Sequence, residues 1–208
     1  MPPRLPLRNS AWGCSIGRPR LSLCAVLLLA LGLALGLTSC SQTQQASANI
    51  AFMGDSITAF WWLPKSNLGV YGNTTLEMLA RYPSEVQNHG YKAIVILGGT
   101  NDVRVPSQPI QQAVAGAMSG IEQMATLAEQ DNLQVVLCLI PPIEGLDLRV
   151  EALNTQITSY AQQHNYKLVD YYTPMAGHPN YFRDGEHPND QGYFVMQPVL
   201  TKVIPLDY

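Results

Sequence analysis

The sequence predicts an α/β domain in three layers, an α/β/α sandwich around a central parallel sheet of about five strands. Two observations carry this. Short apolar runs alternate along the chain with longer segments of helical periodicity. The runs 93–97 (AIVIL) and 135–140 (VVLCLI) are continuously apolar, as strands buried on both faces must be. Alternating strands and helices connect through right-handed crossovers, which makes the sheet parallel.

The strand candidates in order are 49–53, the short 67–70, 93–97, 133–140 and 167–171. Between them lie helix candidates. Segment 74–86 opens with Thr74-Thr75-Leu76-Glu77, a capping-box pattern. Segment 110–130 places Val114, Ala117, Met118, Ile121, Met124 and Leu127 on one face. Segments 148–163 and 191–203 complete the set. No internal repeat is visible. In a sheet of this kind, chemistry sits beyond the carboxyl ends of the strands.

Residues 1–40 carry Arg4, Arg8, Arg18 and Arg20 and no acid, so the remainder has net charge −7 against −3 for the whole chain. An acidic body of this kind gives no electrostatic reason to bind nucleic acid. Arginines, then the apolar run 21–37, then small residues reproduce the order of a secretory signal. The run is also about as long as a minimal membrane span. Gly32 and Gly36 weaken it as a helix, and the polar stretch 39–47 follows at once, so cleavage is the expected outcome. Leu37-Thr38-Ser39-Cys40 resembles a bacterial lipobox. That resemblance implies an acylated Cys40 as the mature N-terminus and attachment to a membrane of the bacterial cell envelope. An ordinary cleavage site would instead give a secreted protein. The organisation expected is a lipoprotein-type signal peptide over 1–39, a small polar tether over 40–48, and one domain over 49–208. Of Cys14, Cys24, Cys40 and Cys138, only Cys138 then stays as a free thiol inside the domain. It reads as a small buried hydrophobe, and neither a disulfide framework nor a metal cluster is available.

Four blocks follow predicted strands: Gly54-Asp55-Ser56-Ile57, Gly69-Val70-Tyr71-Gly72-Asn73-Thr74-Thr75, Gly98-Gly99-Thr100-Asn101-Asp102, and Asp184-Gly185-Glu186-His187-Pro188-Asn189. Together they resemble the GDSL lipase/acylhydrolase family, also called SGNH hydrolases, over 49–203. The resemblance implies a flavodoxin-like three-layer fold and a serine ester hydrolase. It implies Ser56 as nucleophile, His187 as general base and Asp184 as the acid that orients it. It implies an oxyanion hole made by the backbone N–H groups of Ser56 and Gly72 and the side-chain amide of Asn101. Ile57, Asn73 and Leu68 stand where many members have Leu, Asp and Arg, and none of these replaces a reacting group.

Elementary chemistry agrees with those roles. A serine hydroxyl attacks only when a base takes its proton. Imidazole suits that task at neutral pH, and its second nitrogen needs an acceptor that fixes the tautomer. Asp184 lies three residues from His187, close enough to meet it in a turn. No metal or organic cofactor is implied.

Other readings exist for single blocks. Gly54-Asp55-Ser56 is also a strand-to-helix turn with Asp55 or Ser56 as cap. Asn101 is also a turn former. Asn73-Thr74-Thr75 fits a glycosylation sequon, but at a helix start it reads as capping. Gly13-Cys14-Ser15-Ile16-Gly17 matches a nucleophile elbow, yet it lies in the charged leader without a strand before it. His89 and His164 read as helix-end cations, and His178 as a loop residue. Phe60, Trp61 and Trp62, just after Ser56, and Tyr71, next to Gly72, are aromatics that could shape a pocket or pack the core. Tyr71, Trp61 and Trp62 are the pocket candidates, with Tyr71 and one tryptophan favoured. The substrates expected are small-molecule esters, lipids or acylated carbohydrates, with short acyl or acetyl groups favoured because the short chain leaves little room for a lid. The alternative is a surface lipoprotein that binds glycan or lipid without turnover.

Overall fold

Strands β1 (Ile50–Gly54) and β3 (Ala93–Leu97) are buried at every position, so each needs cover on both faces. They lie side by side inside a five-stranded parallel sheet of order β2-β1-β3-β4-β5. The partners are β2 (Asn67–Gly69), β4 (Gln134–Leu139) and β5 (Lys167–Asp170). The computed structural model describes residues 49–62 and 66–206. The segments expected to be a signal peptide (1–39) and a tether (40–48), Cys40 among them, lie outside the described residues.

Four longer helices cover the sheet: α2 (Thr75–Glu85), α4 (Ile110–Gln130), α5 (Asp147–His164) and α7 (Asp190–Val203). All were expected from periodicity, with ends displaced by one residue or so. Thr74 caps α2 in the expected box. Its hydroxyl accepts from Glu77 N–H, and the Glu77 carboxylate accepts from Thr74 N–H at 2.7 Å. Met118, Ile121 and Met124 of α4 and Val150, Leu153 and Ile157 of α5 join the core with the strand residues. Burial at about 25 cal/mol per Å² of apolar surface is what holds these helices to the sheet. Cys138 is free and buried in β4, where burial raises its thiol above the ordinary value, as befits a core residue.

Three further helices are single turns: α1 (Ser56–Ala59), α3 (Thr100–Val103) and α6 (Tyr172–Met175). A single turn is too short to show periodicity; of the three, only α1 was anticipated, through the strand-to-helix turn at Gly54-Asp55-Ser56. Each follows the carboxyl end of a strand.

The register fixes where those turns begin. Gly54 pairs with Gly69 on one side and with Leu97 on the other. Strands β2, β1 and β3 therefore end at one level. The chain passes from β1 to β2 on one side and then to β3 on the other, which is a topological switch point.

Asn154 of α5 closes the neighbouring strand end. Its amide donates to the Ile140 carbonyl at 3.0 Å and accepts from Ile140 N–H at 2.9 Å, all buried. Asn154→Ala would leave both backbone groups without a partner. The expected loss is about 2–4 kcal/mol of unfolding free energy, measured by urea denaturation. A loss under about 0.5 kcal/mol would show that water replaces the amide there.

Candidate active site

Ser56 sits in the first turn of α1, immediately beyond β1. Asp55 is the N-cap of that turn, its carboxylate accepting from Ile57 N–H at 2.9 Å. The cap reading and the nucleophile reading of this block are thus compatible: Asp55 caps and Ser56 points onward. Ser56 Oγ lies 3.0 Å from His187 Nε2. His187 Nδ1 lies 2.8 Å from Asp184 Oδ2. A carboxylate facing Nδ1 fixes the proton there and leaves Nε2 free to accept from the serine hydroxyl.

Asp184 also accepts from the backbone N–H groups of His187 (2.8 Å) and Glu186 (3.1 Å) through Oδ1. The His187 backbone donor is the main cause that pulls its pKa from 3.8 to about 2, so Asp184 is a carboxylate at any working pH. The loop that carries both residues crosses from the β5 side of the sheet. It is pinned by Glu144 N–H donating to the Gly185 carbonyl (2.8 Å), by Arg183 N–H donating to the His187 carbonyl (2.8 Å), and by Arg104 paired with Glu186 (2.9 Å). Tyr193 Oη donates to the Ile57 carbonyl at 2.7 Å, which ties α7 to α1.

Gly72 and Asn101 reach the same edge of the sheet from β2 and β3. Gly72 has φ +75°, a left-handed conformation that glycine adopts without cost, and a Cβ there would meet nothing within 4 Å. Gly99, φ +113°, caps α3 and would drive a Cβ into Leu153. Asn101 Nδ2 donates one hydrogen to the Asn73 carbonyl at 3.0 Å, which orients the amide and leaves a second hydrogen. Asp102 accepts from both Thr75 N–H (3.0 Å) and Thr75 Oγ1 (2.9 Å), so α3 is clamped to the start of α2.

Two residues shape this edge: Arg81, which the sequence did not single out, and Phe60, one of the aromatics that follow Ser56. Arg81 of α2 donates to the carbonyls of Gly54 (2.9 Å) and Leu68 (2.7 Å) and to Asn73 Oδ1 (2.8 Å), joining three segments of the site. Phe60 packs nearly perpendicular to the His187 ring, with centroids 5.5 Å apart, and against Tyr71 at 4.8 Å. Neither carried a motif signal, because long-range packing selects them.

The pocket candidates divide. Tyr71 is exposed beside Phe60. Trp62 is half exposed and packs on Tyr193 and Phe194. Trp61 is corrected: it is 3% exposed, wedged against Tyr171 and Tyr193, and belongs to the core. His89 bonds back to the Ser84 carbonyl through Nε2, His164 lies among Tyr160 and Tyr166, and His178 stacks on Tyr181. No group of three metal-ligating side chains occurs among the described residues. A groove of about 560 Å³ between α4 and α5 is lined by Ile110, Val114 and Met118 and contains none of the four blocks.

Comparison with known proteins bears on this arrangement. The profile of the GDSL-like lipase/acylhydrolase family matches residues 63–194, which include Gly72, Asn101, Asp184 and His187 and begin just after Ser56. A GDSL-like lipase from Bacteroides thetaiotaomicron is 27% identical, covering 76% of this chain and 88% of its own, with a TM-score of 0.66. A member of the lipolytic G-D-S-L family from Veillonella parvula is 25% identical, covering 74% and 97%, with a TM-score of 0.61. An acetyl xylan esterase shares the fold at 19% identity, covering 74% and 99%, with a TM-score of 0.63. A comparison with curated proteins finds no match.

Asp55 gives the site a pH signature. It is fully buried, and desolvation pushes its carboxyl from 3.8 to about 7 against the Ile57 N–H bond and the nearby Thr100 hydroxyl. Asp55 Oδ2 and Thr100 Oγ1 have no partner of normal hydrogen-bond geometry. The folded protein thus keeps a proton that the unfolded chain releases between pH 3.8 and about 7. Stability from this group falls as pH rises through that window and is level above it. Asp184 acts oppositely: its contribution is present above pH 3.8 and is lost as pH falls through about 2. Asp55→Asn keeps an oxygen for the Ile57 N–H and removes the titration. The melting temperature is expected to fall less between pH 4 and 7 in the variant than in the unsubstituted protein. Parallel slopes would place the titration elsewhere.

Proposed function

Because the chain belongs to the GDSL-like lipase/acylhydrolase family and is a carboxylic ester hydrolase, we propose that it removes short acyl groups, acetyl on carbohydrate foremost, through a Ser56–His187–Asp184 triad. The observation that carries this reading is the unbroken chain from Ser56 Oγ to His187 (3.0 Å) and from His187 to Asp184 (2.8 Å). It joins residues 131 positions apart, which no local turn would do by accident.

In this mechanism His187 Nε2 takes the hydroxyl proton as Ser56 Oγ attacks the ester carbonyl. The carbonyl oxygen becomes an oxyanion and accepts from Ser56 N–H, Gly72 N–H and the second Asn101 amide hydrogen. Each such preorganised donor is worth about 3–4 kcal/mol in the transition state. Asp184 holds the ring and stabilises the imidazolium that forms. His187 then gives its proton to the departing alcohol and leaves an acyl-enzyme on Ser56. Water, deprotonated by the same nitrogen, releases the acid and restores Ser56.

Acetyl on carbohydrate is the first class to try for two reasons. The described residues add no separate lid domain over Ser56, and the exposed Tyr71 offers a flat apolar face next to Phe60, which packs on His187. A fold shared with an acetyl xylan esterase points the same way. The reading extends to location: export, a lipid anchor on Cys40 and a tether over 40–48, supported by the apolar run that ends at Leu37-Thr38-Ser39-Cys40.

Hydrolysis of 4-nitrophenyl acetate by the purified protein tests the triad. Ser56→Ala is expected to lose about 10³-fold or more in kcat, and Asn101→Ala about 10²-fold with little change in KM. Equal rates for Ser56→Ala and the unsubstituted enzyme would remove Ser56 from the mechanism. Mass spectrometry of the mature N-terminus is expected to give a diacylglyceryl-modified Cys40. An unmodified residue at any other position would contradict the anchor.

A further inference from the structure

Four arginines lie among the described residues, and three of them are engaged with protein acceptors. Arg81 pairs with Glu85 and bonds the carbonyls at Gly54 and Leu68. Arg104 pairs with Glu186. Arg149 donates to the carbonyls of Val103, Pro106 and Gln108. Arg183 differs. Its guanidinium lies over the Phe60 ring, Cζ 4.8 Å from the centroid, and it has no carboxylate partner among the described residues. The same phenyl ring packs nearly perpendicular to the His187 ring, centroids 5.5 Å apart. One unpaired cation therefore stands a ring's width from the base, in a body whose net charge is strongly negative.

Stacking on an aromatic face fixes the plane of a guanidinium and leaves its N–H edge free for a planar anion. The position also has a chemical side. His187 hands its proton to the departing alcohol, so groups next to it flank the alcohol half of the ester, opposite the oxyanion donors. Tyr71, which packs on the same Phe60, gives that half an apolar surface. Among the described residues, Lys92 and Lys167 sit at the far, amino-terminal edge of the sheet and Lys202 near the end of α7, so Arg183 is the one unpaired cation described beside His187. A single cation matches a single negative charge.

We propose that Arg183 is a specificity-determining residue that binds a monoanionic group, a carboxylate or a sulfate half-ester, on the sugar alcohol of the ester substrate. This rests on the triad reading above and deepens it.

The test compares the unsubstituted enzyme, Arg183→Gln and Arg183→Lys on three substrates: an O-acetylated methyl glucuronoside, the matching O-acetylated methyl glucoside, and an O-acetylated glucose 6-phosphate. The unsubstituted enzyme is expected to favour the glucuronoside over the glucoside by about tenfold in kcat/KM, mostly through KM. The preference is expected to shrink with added salt. Arg183→Gln should lose most of it and Arg183→Lys should keep part, with melting temperatures checking the fold. The same preference in Arg183→Gln as in the unsubstituted enzyme would overturn the inference. An Arg183-dependent preference for the phosphate over the carboxylate would overturn the monoanion assignment. Hydrolysis of 4-nitrophenyl acetate and of all three sugars without charge preference would sink the role of Arg183 and leave the triad standing. No hydrolysis of any acetate would remove both.

Discussion

The shared level at which β2, β1 and β3 end is the constraint on which the site depends. Gly54 opposite Gly69 and Leu97 means that three consecutive loops leave the sheet together. A parallel register cannot slip by one residue without turning every side chain to the other face, and both faces here are packed. The core therefore fixes the heights of Ser56, Gly72 and Asn101 relative to one another. Arg81 then ties two of these segments together, the end of β1 through Gly54 and β2 with its following loop through Leu68 and Asn73. An oxyanion hole needs donors held to fractions of an ångström before substrate arrives, and a sheet edge supplies that rigidity more readily than free loops.

The other half of the proposed triad has no such support from the sheet. Asp184 and His187 come from a long connection after β5, and side chains place them. The Arg104–Glu186 pair joins this connection to the turn bearing Asn101, so the proposed base and a proposed oxyanion donor share one clamp. Glu186 is buried while Arg104 is half exposed, a geometry in which losing one partner strands the other's charge. Close by, Asp55 is buried with one oxygen unpartnered. Local instability of this sort is common where chemistry is done. The hydrophobic core beneath, continuous from Ile50 to Leu206, offsets it.

The sheet was legible in the sequence because its strands are buried on both faces and so read as unbroken apolar runs. The long helices were legible from their periodicity and, for α2, from its cap. The four blocks were legible because each pairs a glycine turn with a polar group directly after a strand. What escaped is what depends on residues distant in sequence. Trp61 next to Ser56 reads like a pocket residue, yet Tyr171 and Tyr193 close over it. Arg81 reads as an ordinary helix cation, yet it reaches backbone carbonyls of two strands. Phe60 and Arg183 lie 123 positions apart by their numbering and meet only after folding. Tertiary neighbours decide such roles, and no local pattern encodes them.

In the proposed mechanism a cation next to the base gives the site a sense of direction, with oxyanion donors on one side of Ser56 and a charge-reading residue on the other. All of this presumes that Ser56 is the atom that attacks. Peptide mapping by mass spectrometry after treatment with a fluorophosphonate tests that presumption most directly. The adduct is expected on Ser56 alone, and His187→Ala should slow its formation by about 10²-fold or more, because the hydroxyl loses its base. An adduct on another residue, or none on a preparation that still hydrolyses an aryl acetate, would contradict it.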